Sequence, residues 1–103
     1  MSEASIIQLK QTVESQHGGT ATFVQSVPVR EKLRGRAAFS GTVAIFDLKN
    51  SPSGATRAFA WEQDRPDGSK RYVAILQMDG ITGPVDAVRA AIVVDARARN
   101  GPK

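Results

Sequence analysis

The sequence predicts an α+β two-layer sandwich, a four-stranded antiparallel sheet with an N-terminal and a C-terminal helix on one face, in the order α-β-β-β-β-α. Three observations predict it. The stretch Ala55–Met78 reads as one hairpin, with aromatic and β-branched runs flanking Asp64-Arg65-Pro66-Asp67-Gly68-Ser69. Pro presets φ in that turn, Asp bonds its own backbone and Gly takes positive φ. Amphipathic helical spacing occupies both ends of the chain, and consecutive strands with short links favour antiparallel pairing.

The first helix spans Ser2–Gln16. Ser2 is a candidate cap, Glu3 suits the positive end of the helix, and Ile6, Leu9 and Val13 form an apolar stripe that Ile7 widens. Lys10, Gln11, Glu14 and Ser15 fall on the solvent side, and His17-Gly18-Gly19 stops the helix. Thr20–Val29 is the first strand. Ala21, Phe23, Val27 and Val29 share a face on which Gln25 is the polar exception, and Pro28 argues for an edge. The basic connector Arg30–Arg36 has the length of an excursion between strands. Phe39–Leu48 follows as the second strand, with Gly41 marking a bulge or a close backbone approach. Lys49–Gly54 is a loop, and Thr56–Gln63 and Lys70–Met78 are the hairpin strands. Asp79-Gly80 then turns the chain into a helix over Val85–Arg99, started by Thr82, Pro84 and Asp86.

At 103 residues, with 41% hydrophobic and 23% charged residues, residues 1–103 form one globular domain. The absence of cysteine excludes disulfides, thiol chemistry and Cys-bound zinc, and leans toward a reducing cytoplasm. The N-terminus has neither a basic n-region nor a long apolar run, which argues against a signal peptide and a membrane span. The net charge of +4 permits anionic partners without demanding them.

Opposing Asp64 to Ser69 sets a hairpin register in which Trp61 faces Tyr72 and Glu62 faces Arg71, an aromatic pair and an opposite-charge pair. Phe59, Trp61, Tyr72 and Leu76 then share one face, flanked by Arg57 and Lys70, while Ala58 and Ala60 lie on the other. One layer of helices covers one face, so the aromatic face has three readings: the core itself, the contact of a homodimer, or a stacking platform for unpaired bases. In the last reading Arg30, Lys32, Arg34 and Arg36, with Arg57 and Lys70, contact phosphates. The ordinary reading of the 30–36 run is a solvated loop.

No catalytic constellation is legible. His17 is the single histidine and reads as a helix-end residue, no serine sits in a nucleophile elbow, and the Asp64–Gly68 run is explained by turn chemistry. Glu62 and Asp47 lie in strands with nothing to pair them, and neither a metal nor a cofactor is implied. The element order resembles double-stranded-RNA-binding domains in topology alone. This chain has an extra strand, and Gly83–Arg89 lacks the clustered lysines which that family places at the start of its last helix. The expectation is a small non-enzymatic cytoplasmic interaction domain that self-associates through the aromatic face. The alternative is a nucleic-acid-binding domain using residues 30–36 together with the hairpin face.

Overall fold

A computed structural model of the chain describes residues 3–33, 35–65 and 67–99. The elements are α1 (Glu3–His17), β1 (Thr20–Leu33), β2 (Arg36–Lys49), β3 (Arg57–Asp64), β4 (Lys70–Leu76) and α2 (Pro84–Arg99). The strands form one antiparallel meander in the order β1-β2-β3-β4. Element order, sheet and chain direction are those the sequence predicts. Ser2 and the tail beyond Arg99 lie outside the described residues.

The helices, however, do not share a face. α1 sets Leu9 and Val13 on Ala44, Phe46, Leu48, Ala58, Ala60, Ala74 and Leu76. α2 sets Ala87 and Val88 on Val43, Ile45, Phe59, Trp61 and Val73. Neighbouring residues of a strand point to opposite faces, so these two sets are the two sides of one sheet. The expected two layers are therefore three, helix-sheet-helix. The physical reason is that β2, β3 and β4 are apolar on both faces at their centres, as in sheets covered on both sides. A helix on one face alone would leave Phe59 and Trp61, or else Phe46 and Leu48, in water.

β1 serves both cores by means of a bulge. Phe23 pairs with Phe46 and Gln25 with Ile45, so Val24 is the extra residue. Before it, Ala21 and Phe23 lie on the α1 side, with the Phe23 ring edge-on to Phe46 at 5.9 Å. After it, Val27 and Val29 lie on the α2 side. The face expected to hold all four residues is thus divided, and Gln25, its polar exception, stands where the division occurs. A second irregularity falls between Glu31 and Lys32, where Ala38 is the extra residue on β2. At Gly41 the close approach is the Phe39 ring, whose Cζ would stand 3.3 Å from an added Cβ.

Helix ends are tied by side chains. Thr82 donates its N–H and its hydroxyl to Asp86 Oδ2 at 3.2 and 3.1 Å, fastening the start of α2. At the far end of α1, the His17 ring nitrogen Nε2 lies 2.9 Å from the carbonyl of Ala74 on edge strand β4, rather than at the helix's own carbonyls. Glu14, expected on the solvent side, is half-buried and accepts the Ala21 N–H at 2.8 Å and Lys10 Nζ at 2.8 Å. It therefore joins α1 to the start of β1. Ile7, by contrast, is exposed rather than part of the buried stripe.

The two bonds hold the Glu14 carboxyl below its ordinary value of 4.5, first through Lys10 and then through the Ala21 N–H. A carboxyl with a depressed native pKa contributes stability that is present above its unfolded value and lost as pH falls through the native one. Glu14→Gln should therefore flatten the decline in urea midpoint below about pH 4.5 relative to wild type. Equal acid profiles for the two proteins would show that the bond to Ala21 is not made by the carboxylate.

Candidate nucleic-acid interface

β2 pairs with β3 only from Ala44↔Ala60 to Asp47↔Arg57, whereas β1 and β2 stay paired from Thr20↔Lys49 to Leu33↔Arg36. The first two strands therefore run on together as a two-stranded arm. The stretch Arg30–Arg36, expected as a connector, is the distal end of that arm: Arg30 and Lys32 lie in β1, Gly35 is in the turn, and Arg36 begins β2. Arg34 lies outside the described residues. The pattern that conceals the strand is charge, since Arg-Glu-Lys is unusual strand composition.

The arm has unlike faces. Val27, Val29, Phe39 and Val43 lie under α2 together with Ala87 and Val88. Glu31 is on this side too, and its carboxylate accepts a hydrogen bond from Arg89 Nε of α2. That acidic neighbour raises the Arg89 guanidinium above its usual value. Alternation places Ser26, Pro28, Arg30 and Lys32 on the opposite face, which no helix covers. All four are exposed, and across the ladder Arg30 meets Ser40 and Pro28 meets Thr42. Among the described residues, neither Arg30 nor Lys32 is in an ion pair, and the acid between them is tied to the far side.

The expected aromatic face is not formed. The hairpin register is Asp64↔Lys70, Glu62↔Tyr72 and Trp61↔Val73, one residue from the expected pairing. Arg65 N–H donates to Ser69 O at 2.8 Å and Gly68 N–H to Arg65 O at 3.0 Å, so the loop holds five residues where four were expected. A slip of one exchanges faces. Phe59 and Trp61 stay together beneath α2, 1% and 0% exposed, with Trp61 edge-on to Phe39 at 5.7 Å. Tyr72 and Leu76 go to the α1 side. Arg57 is engaged by Asp47 at 3.3 Å and Lys70 by Asp64 at 3.0 Å, and neither lies on the arm. Of the expected phosphate contacts, Arg30, Lys32 and Arg36 thus fall in the strands of the arm, Arg34 lies outside the described residues, and Arg57 and Lys70 are paired residues of the sheet.

Of the carboxylates weighed for catalysis, Asp47 is the partner of Arg57, and Glu62 accepts the Ser5 hydroxyl at 3.2 Å. Among the described residues no three His, Asp or Glu side chains gather as a metal site, and no helix is long and apolar enough to cross a membrane. No family model, curated protein or solved structure matches the chain.

Proposed function

We propose that this protein is a nucleic-acid-binding domain whose β1–β2 arm lays Arg30 and Lys32 along a phosphate backbone. The observation that carries this reading is the segregation of charge on the arm. One face is apolar, with its acid paired to Arg89; the other is polar and cationic with no carboxylate among its described residues. Cations that release condensed counterions give binding whose logarithm falls linearly with the logarithm of salt, by about 0.9 per phosphate on duplex DNA and about 0.7 on single strands. Arg30→Ala with Lys32→Ala should weaken binding to mixed-sequence nucleic acid and lower that slope by about 1.4–1.8. The arm is not the binding element if the double variant keeps the wild-type slope.

Self-association is the second reading, and it moves to another surface. Phe59 and Trp61 are enclosed, but α2 leaves Val93 45% and Val94 63% exposed on its outer side, with Ile81 and Ala90 beside them. A second copy meeting this strip about a two-fold axis would bury it with one self-complementary patch. Light scattering at high micromolar concentration tests this, a monomer mass removing it.

A further inference from the structure

Resting on the nucleic-acid reading above, we infer that the arm enters the major groove of B-form DNA with its uncovered face toward the bases. Width is the first reason. Beyond Ala44↔Ala60 the arm is two strands wide. Strands are spaced about 4.8 Å apart, so with flanking side chains such a ribbon matches a groove about 12 Å across, which admits an α-helix or a two-stranded ribbon. Length is the second. Gln25–Leu33 at about 3.3 Å per residue extends roughly 30 Å, close to one turn of duplex.

The chemistry of the inserted face is the third reason. Ser26, Ser40 and Thr42 offer hydroxyls that donate or accept at base edges, and Arg30 reaches a phosphate at the groove wall. Lys32, nearer the tip, suits a phosphate at the groove wall. α2 stiffens the ribbon from behind through Val29, Phe39 and Val43, so little ordering is needed on contact.

Competing nucleic acids are disfavoured by what the arm lacks. Single strands are held largely by stacking on exposed aromatic rings. Phe39, Phe46, Phe59 and Trp61 are all buried; Phe23 shares the side of the sheet that carries Arg30, but it precedes the arm and packs edge-on to Phe46, and Tyr72 lies on β4. Duplex RNA is A-form, with a major groove too narrow for side chains to read.

The test compares fluorescence anisotropy of three labelled probes of one mixed sequence: a DNA duplex of two helical turns, its single strand, and the RNA duplex. The expected result is affinity at least about tenfold higher for the DNA duplex at low salt. The major-groove dye methyl green should displace the protein, and the minor-groove ligand distamycin should not. Equal or tighter binding to the single strand or to RNA overturns the groove inference while leaving the nucleic-acid reading standing, as does displacement by distamycin alone. Absence of binding to all three probes at low salt overturns both. Arg30→Ala, with an unchanged circular dichroism spectrum, should lose duplex affinity; wild-type affinity in that variant also overturns the inference.

Discussion

Trp61→Glu is expected to yield an unfolded chain rather than a soluble monomer with its helices and strands retained. Trp61 is fully buried between β3 and α2, edge-on to Phe39. Truncating a core tryptophan costs about 3–5 kcal/mol, and an unpaired carboxylate in the same place adds several more. A domain's whole stability is about 5–15 kcal/mol. The same substitution on a dimer face would have left the fold intact, so far-UV circular dichroism of the variant separates the two roles. Trp61→Phe is the companion. The indole Nε1–H has no acceptor among the described residues, and a buried donor without a partner costs about 1–3 kcal/mol. Phenylalanine removes that donor as well as some buried area, so its net loss should stay within about 1.5 kcal/mol. A loss as large as that of Trp61→Ala would mean that the N–H is in fact satisfied.

Gly19→Ala is expected to have the second largest effect. Gly19 has φ of +78°, and an added Cβ would stand 2.3 Å from the Lys49 carbonyl oxygen and 2.9 Å from the Ser51 nitrogen. Both obstacles are backbone, so neither rotates aside. Left-handed backbone costs an L-residue about 1–2 kcal/mol, and moving the β2 end away raises the total to about 2–4 kcal/mol. Gly54 is the internal control, with φ of +80° and nothing within 4 Å of an added Cβ. Gly54→Ala should cost about 1–2 kcal/mol, the backbone share alone. In thermal melts each kcal/mol is worth about 4–8 °C for a domain of this size. Equal melting losses in the two variants would mean that the approach of Gly19 to Lys49 is not tight.

Local chemistry made the element order readable. His17-Gly18-Gly19, Asp64–Ser69 and Thr82–Asp86 each stop, turn or start the chain by a short-range mechanism that needs no tertiary information. What stayed hidden depends on pairing at a distance. The β3–β4 register rests on whether Ser69 or Lys70 meets Asp64, and one residue decided which side Tyr72 and Leu76 took. The sharing of the helices between faces was present in the sequence as apolar character on both sides of β3, Ala58 and Ala60 against Phe59 and Trp61. That pattern is the mark of a sheet covered twice, and of the three readings of the aromatic face Phe59 and Trp61 meet the first, the core itself. The bulge at Val24 carries no glycine to announce it, and its trace was the misplaced Gln25. For the candidate interface, the cationic run was legible but its place at the end of a long ribbon was not. The polar residues of Arg30–Arg36 resemble a loop until Val27, Val29, Phe39 and Val43 are seen to lie on one side.

Because the two faces of the sheet are closed by helices from opposite ends of the chain, they are also closed at different moments of synthesis. α1 precedes every strand, so its face is complete once Leu76 has left the ribosome. The side holding Phe59 and Trp61 must wait for Ala87, Val88 and Ile92, about fifteen residues later, or roughly one to three seconds at 5–20 residues per second. For that interval the nascent domain presents the apolar surface that the finished one hides, and it is then that a chaperone or a second nascent chain would find something to hold.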